Sequence, residues 1–273
     1  MTSAQAGAER PSTTAEPYAL ITGASSGLGR EFAMLAAEDG WSPVLVARSS
    51  EKLLEFAAQL KSRFNVNAIA LPTDLTLPGA PASLAGTLEG LGIEPGIVVN
   101  DAGFGAFGPM IRMDRANCRR MIDLNVQALT ELSLIYAKTM ADRGTGRILN
   151  IASTAAFQTC PFLGVYGATK AYVLSFTEAL SEELRGTGVT ATAFCPGPTR
   201  TNFGTAAGLE ADSPFDRFAK DAPEVARAGW RGMMAGKAVV TYGAFNKVGA
   251  FFGSKMPRSV VRFMSAMLLK KMK

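Results

Sequence analysis

The chain contains no histidine among its 273 residues. Histidine is the side chain whose ordinary titration falls near neutral pH, so its absence removes histidine general bases, Ser-His-Asp triads and imidazole-ligated metals. Cysteine is nearly as scarce. Cys118, Cys160 and Cys195 are odd in number and far apart, which reads as free thiols in a reducing compartment and leaves too few ligands for a structural zinc site. No run of 18 apolar residues lacks a charge or a breaker, so no spanning helix is expected. The opening MTSAQAGAERPSTTAEP has no apolar core of the kind a secretory signal needs. No Asn-x-Ser/Thr sequon occurs, which agrees with a cytoplasmic address.

Core material is plentiful. Hydrophobic residues make up 48% and charged residues 19%, a globular composition rather than a disordered one. The net charge of +5 hides an asymmetry. From Val225 to Lys273 there are ten Lys or Arg and no Asp or Glu, so the remaining 18 basic and 23 acidic residues leave the body at −5. Such a tail suits an acidic partner (anionic lipid, an acidic carrier protein or nucleic acid) or is simply a solvated basic surface.

Residues 1–17 read as a flexible leader. Continuous apolar runs then follow at 18–22, 43–47, 67–71, 96–100, 147–153, 189–194 and 238–242. Continuous rather than alternating runs suit strands buried on both faces. Helical patterns fill the gaps at 27–39, 50–64, 80–91, 114–142, 164–186 and 223–235. The alternation predicts one α/β domain over 18–242, a doubly wound Rossmann-type fold with a seven-stranded, mostly parallel sheet and helices on both faces. Residues 243–273 form a basic extension. Pro257 is a good helix starter, and Val260, Val261, Phe263, Met264, Met267 and Leu268 recur at helical spacing beyond it, with Arg258, Arg262 and Lys273 largely opposite. A helix of this kind lies in a membrane interface or packs on the domain or on a second subunit.

After the first strand comes Thr22-Gly23-Ala24-Ser25-Ser26-Gly27-Leu28-Gly29, which opens a helical segment. A strand-to-helix turn rich in glycine lets backbone approach a pyrophosphate, and the helix start offers N–H groups and a positive dipole end. Strand two ends at Arg48-Ser49 with no acidic residue at 46–50. A carboxylate there would bond a ribose 2′-OH, whereas a guanidinium pairs a 2′-phosphate. Arg48, with Ser25 and Ser49 as hydroxyl donors, therefore argues for NADP(H). Ser153 closes strand five, and Tyr166 and Lys170 stand at i and i+4, on one face of a helix. A phenol titrates near ~10, and a neighbouring ammonium is expected to lower that value. A bare Tyr-x-x-x-Lys is common and often means only a solvated lysine. Joined to Ser153 and the glycine turn it becomes specific.

The TGxxxGxG spacing with these residues resembles the short-chain dehydrogenase/reductase family over about residues 18–242, with phrasing similar to its DltE-like or 3-oxoacyl-reductase-like members. The resemblance implies an NADPH-dependent oxidoreductase in which Ser153 holds a carbonyl oxygen and Tyr166 acts as general acid/base beside Lys170. It adds Asn125 as the fourth catalytic member, kinking its helix and holding a water that relays protons to the lysine. It places Gly23, Ser25, Ser26, Gly27, Leu28 and Gly29 at the cofactor, with Asp74 on the adenine amino group and Leu75 nearby. Asn100, Ala102 and Gly103 lie at the ribose, and Pro196, Gly197, Thr199 and Thr201 at the nicotinamide end. By sequence alone Asp74 is equally a cap for the next turn, Asn125 a polar surface residue and Cys195 a small buried hydrophobe. One position departs from the family's Asn-Asn-Ala-Gly: Asp101 stands where an amide is usual, and altered hydrogen bonding rather than lost binding is expected. Phe104, Phe107, Phe157, Phe162, Leu163, Phe203, Leu209, Phe215 and Phe218 suit an apolar ketone, aldehyde or acyl substrate. Helices 114–142 and 164–186 would form a four-helix face in a homodimer or homotetramer. The competing reading is an NADP-binding redox sensor or scaffold without chemistry. No nucleic-acid motif accompanies the basic tail.

Overall fold

The computed structural model describes residues 16–208 and 218–270. The chain winds outward in both directions from β1 (Tyr18–Thr22), which pairs in parallel with β2 (Ser42–Ala47) on one side and β4 (Pro95–Asn100) on the other. β3 (Ile69–Pro72) joins β2, while β5 (Gly146–Ile151), β6 (Val189–Cys195) and β9 (Val239–Thr241) extend beyond β4. The order β3-β2-β1-β4-β5-β6-β9 gives seven strands, all parallel. This is the doubly wound sheet that the seven apolar runs predict.

The unbroken apolar runs are explained by burial on both faces. Leu20, Ile21, Val44, Leu45, Val98 and Val99 are wholly buried. On one face α1 (Gly27–Glu38), α2 (Ser50–Phe64) and α8 (Ala222–Met234) pack Phe32, Phe56 and Trp230 with Phe194. On the other, α3 (Ala80–Gly90), α5 (Leu129–Arg143) and α6 (Gly164–Glu183) supply Leu84, Leu132 and Leu180. Each such side chain contributes ~1.5–3 kcal/mol of burial. Trp230 donates to Asp39 at 2.7 Å, tying α8 to the end of α1.

The helix expected over 114–142 is three segments. Asp114 caps α4 (Arg115–Ile122) by accepting from the Ala116 and Asn117 N–H groups. A π-helical turn follows at Asp123–Ala128, and α5 continues from it. A π turn widens the helix by one residue and re-aims the side chains within it. The 164–186 helix stops at Glu183. Beyond β6, the two-residue strands β7 (Thr199–Arg200) and β8 (Lys220–Asp221) pair, with α7 (Phe203–Ala206) between them.

The tail holds two helices, α9 (Ala244–Lys255) and α10 (Arg258–Lys270). α9 lies against the 3-10 turn Thr154–Phe157 that follows Ser153. A Cβ on Gly253 would sit 2.8 Å from the Phe157 carbonyl oxygen. On α10, Val261 and Ser265 are buried, while Val260, Phe263, Met264 and Met267 are exposed. Sequence spacing groups Val261 with the exposed apolar residues; the structure turns it inward, one step round the helix from Val260. No helix among the described residues is long and apolar enough to cross a membrane. The leader up to residue 15, Leu209, Phe215, Lys271 and Lys273 lie outside the described residues.

Candidate active site

β1 and β4 are neighbours, yet the chain leaves them toward opposite ends of the sheet, so a crevice opens beyond their carboxyl ends. Doubly wound sheets bind ligands at this point. The glycine turn fills one wall. Gly23 has φ +72°, and a Cβ there would lie 3.0 Å from the Ala102 amide nitrogen. A Cβ on Gly29 would fall 2.5 Å from the Gly23 carbonyl oxygen and 2.8 Å from Asp101 Oδ2. Side chains at either position would wedge the turn off the β4 end. Thr22 stitches the two strand ends together, its Oγ1 accepting from the Asp101 and Ala102 N–H groups at 3.1 and 3.0 Å.

Ser26 caps α1 only through backbone and makes no side-chain cap bond. The first N–H groups of α1, at Gly27 and Leu28, thus face the crevice mouth with the positive end of the helix dipole. Ser25 is half-buried and Ser26 exposed beside them. The loop after β6 crosses to the same place. Thr201 Cγ2 would be 3.3 Å from a Cβ on Gly27, while Thr199 Oγ1 donates to the Gly197 carbonyl at 3.0 Å. The Pro196 carbonyl accepts from the Thr154 N–H at 2.9 Å. Asn246 of α9 presses on Gly197. This cradle of backbone N–H groups, without Cβ atoms in the way, fits a dinucleotide's pyrophosphate.

Arg48 is exposed at the end of β2, with Ser49 half-buried after it. The side chains of Asp74 and Asn100, both expected at the cofactor, have hydrogen-bond partners within the protein. Asp74 Oδ1 accepts from the Thr76 N–H at 3.0 Å and the Thr76 hydroxyl at 2.7 Å, so the carboxylate caps its own turn. Those bonds hold its pKa below the ordinary value, with Arg48 and Arg120 assisting. Leu75 is buried in the core. Asn100 donates to Asn150 Oδ1 at 2.9 Å and Ser133 Oγ at 3.1 Å. Its side chain is sealed beneath the sheet end because Asn150 is its direct partner on β5. Backbone at Ala102 and Gly103 remains at the crevice, and Gly103 is exposed.

The reactive groups gather where β5, α6 and the π turn meet. Tyr166 and Lys170 are both buried on one face of α6. Ser153 lies near enough to Tyr166 to act on its phenol, and its Oγ accepts from the Ala155 N–H at 3.1 Å. Lys170 Nζ donates to the Ile151 carbonyl at 2.6 Å and lies 5.8 Å from the centroid of the Tyr166 ring. Asn125 is the centre of the π turn and is wholly buried. Its Nδ2 donates to the Phe104 carbonyl at 2.9 Å and to Thr169 Oγ1 at 3.1 Å, and its Oδ1 accepts from the Phe104 N–H at 3.1 Å. The π turn is therefore what carries the amide inward, past the surface position that its helical spacing alone suggests. A Cβ on Gly103 would lie 2.9 Å from Asn125 Oδ1 and 3.7 Å from Lys170 Nζ.

The electrostatics differ from the sequence expectation at Tyr166. Burial pushes its phenol above the ordinary value, the Ser153 bond opposes this, and Cys160 and Asp101 add to the rise. Burial also pulls Lys170 down, so the ammonium is a weaker counter-charge than an exposed one; Asp101 and Cys195 restore part of it. The result is a phenol that keeps its proton through neutral pH, the form a general acid requires.

The wall around Tyr166 is apolar. Met121, Cys160 and Leu163 are buried with it, and Phe104, Phe107 and Phe203 pack alongside. The Tyr166 and Phe203 ring centroids are 5.2 Å apart. Phe157 instead joins the cluster of Leu129, Val173 and Cys195, and Phe218 is exposed. Cys195 is a buried hydrophobe beneath the Pro-Gly loop. Sequence reading gave no role to Cys160 or Thr169. Thr169 carries a signal in hindsight, one turn from Tyr166 and on the side that faces the π turn. Cys160 carries none.

Comparison with known proteins agrees with this architecture. The short chain dehydrogenase family profile matches residues 17–211. The chain is 37% identical over 186 residues to a sulfoacetaldehyde reductase 2 of Chromohalobacter salexigens, covering 67% of this chain and 73% of that protein. It is 31% identical over 176 residues to a very-long-chain 3-oxoacyl-CoA reductase of Macaca fascicularis, covering 63% of this chain but only 56% of the relative's length. A solved short-chain dehydrogenase from Sphingobium yanoikuyae, in complex with NADPH, superposes with a TM-score of 0.80 at 33% identity, covering 88% of this chain and 93% of that one. On the match across most of its length, the strand order and the glycine turn, this chain belongs to the short-chain dehydrogenase family.

Proposed function

We propose that the protein is an NADPH-dependent oxidoreductase that reduces the carbonyl of an apolar ketone, aldehyde or 3-oxoacyl substrate, or oxidises the matching alcohol. The observation that carries this reading is the buried Tyr166, set in an apolar wall with Lys170 on the same face of α6 and Ser153 acting on its phenol, at the end of the crevice that the glycine turn lines. The N–H groups at the start of α1 and the glycines at 23, 27 and 29 would hold the pyrophosphate, Arg48 with Ser25 and Ser49 the 2′-phosphate, and Thr199 and Thr201 the nicotinamide end. The bound cofactor supplies a hydride. Ser153 orients the substrate oxygen toward Tyr166. Tyr166 gives its proton to that oxygen as negative charge develops there, and Lys170 and Asn125 hold the route by which the proton is replaced. A general acid so placed contributes ~10²–10⁴-fold. A sensor or scaffold that only bound the cofactor would need neither Ser153 nor Tyr166. NADPH consumption by the purified protein against a panel of apolar ketones, aldehydes and 3-oxoacyl thioesters tests the reading. Turnover of at least one apolar member is expected, and binding of NADPH without consumption across the panel would favour the sensor.

The same reading includes self-association. Ile122, Met110, Val126 and Val165 line an apolar groove, and Leu134 on α5 and Tyr172 on α6 are also exposed, surfaces suited to a homodimer or homotetramer in the cytoplasm. It also includes reversible attachment to an anionic membrane surface through the basic extension at 243–273. Val260, Phe263, Met264 and Met267 are exposed beside Arg258 and Arg262. Each cation near such a surface is worth ~1 kcal/mol. Reversing both, Arg258→Glu with Arg262→Glu, should therefore lower co-sedimentation with phosphatidylserine vesicles at low salt by at least about tenfold. Equal pelleting of both proteins would assign the exposed face to another contact.

A further inference from the structure

Asp101 is the one departure from the family pattern inside the crevice, and its surroundings give the carboxylate a task. Its backbone N–H is fixed by Thr22 Oγ1 at 3.1 Å. Its side chain points at the start of α1, where Oδ2 lies 2.8 Å from the position of a Cβ on Gly29 and the Gly29 N–H favours the ionised carboxylate. The Lys170 ammonium of α6 also favours its ionised form. The carboxylate thus stands at the helix N-terminus that would hold the pyrophosphate and within electrostatic reach of the lysine of the catalytic group.

An amide at this position could make the same contact with Gly29 without charge. A carboxylate places a negative charge where a second, larger negative charge is to bind. Two like charges held at the start of one helix, one of them partly buried, repel. The conflict is relieved when the carboxylate takes a proton from solvent. We propose that Asp101 couples dinucleotide binding to proton uptake: the pyrophosphate displaces the ionised carboxylate in favour of its protonated form, which keeps its place beside Gly29 and leaves Lys170 without a buried counter-charge. Asp101 is in this sense a positioning residue, acting on the cofactor and on Lys170 without touching substrate. The inference rests on the dinucleotide site proposed above.

The groups around Asp101 set the direction of the effect. Burial raises the carboxyl well above the usual carboxylate range, and Lys170 and the Gly29 bond hold it down in part. Tyr166 on α6 feels the Asp101 charge, and Cys195 at the end of β6 acts on Lys170. The neighbours from β1 and the π turn, Thr22 and Asn125, are neutral. A further negative charge at the α1 N-terminus can only raise the Asp101 carboxyl again. Binding therefore consumes a proton at pH values between the free and bound titrations, and affinity falls as pH rises through that interval.

Isothermal titration calorimetry of the full chain with NADH tests this; NADH lacks the 2′-phosphate, which itself titrates near neutrality. Measurements in several buffers of different ionisation enthalpy, between about pH 6 and 9, give the protons taken up per molecule bound. The wild type is expected to take up a growing fraction of a proton as pH rises, with Kd increasing by up to ~10-fold per pH unit. Asp101→Asn, which keeps an acceptor oxygen for Gly29, should show a slope near zero and tighter binding at the alkaline end. Asp101→Ser provides a second neutral variant should the amide fold poorly. Equal proton linkage in wild type and a neutral variant, or none in the wild type, would overturn the inference. If neither NADH nor NADPH binds at any pH, the dinucleotide reading itself falls and takes this inference with it.

Discussion

Tyr166→Phe is expected to lower turnover by ~10²–10⁴-fold, while the Kd for NADPH stays within about twofold of the wild-type value. The substitution removes one oxygen. The ring stays packed against Phe203 and buried with Met121, Cys160 and Leu163, so the wall of the site is preserved. What is lost is the phenol hydroxyl on which Ser153 acts, a proton donor that burial keeps protonated. Because that phenol lies above its ordinary value, reduction at saturating NADPH should not fall through loss of the Tyr166 proton as pH rises across neutrality. Steady-state assay, with cofactor binding followed by fluorescence, separates the two effects. Near-normal turnover in the variant would assign proton transfer to another group.

Arg48→Asp is expected to reverse or erase a preference for NADPH over NADH. Charge-assisted hydrogen bonds are worth ~1.5–3 kcal/mol, so loss of the guanidinium should weaken NADPH by ~10–150-fold. The new carboxylate would repel a 2′-phosphate and bond a ribose 2′-OH, so NADH should bind as well or better. Arg48 is exposed at the end of β2, away from the core, and fold stability should change little. Paired Kd measurements for the two cofactors read the outcome. Equal wild-type affinities would leave Arg48 as a surface residue and transfer the discrimination elsewhere.

Much of this was legible in the residues. Unbroken runs such as Leu20-Ile21 and Val98-Val99 announce strands covered on both faces, and the alternation with amphipathic helices leaves a parallel doubly wound sheet as the economical solution. The glycine turn was legible because a Cβ at Gly23 or Gly29 collides with backbone, which is a local constraint. The shared face of Tyr166 and Lys170 followed from helical spacing, and their role from Ser153 and the glycine turn together with the family resemblance. Elsewhere the deciding contact comes from far along the chain. Asn125 sits in a continuous helical pattern, and only the π turn, with Thr169 and Phe104 to meet it, shows it buried. Asn100 belongs to a cofactor motif, yet its side chain is claimed by Asn150, its partner 50 residues on. Asp74 is held by a residue two positions away, the local cap that its sequence also allowed. The rise at Tyr166 depends on how deeply its ring is covered, and no spacing rule contains that quantity.

In the proposed reaction a hydride passes from NADPH to a carbonyl carbon while Tyr166 protonates the oxygen. Reduction of a turned-over apolar ketone with NADPH deuterated at C4 of the nicotinamide tests it most directly. Deuterium should appear at the new carbinol carbon of the alcohol with wild-type protein, from one face of the nicotinamide only, and Tyr166→Phe should form this product at least ~10²-fold more slowly. An alcohol carrying solvent hydrogen at that carbon, or deuterium transfer at an undiminished rate in the variant, would contradict it.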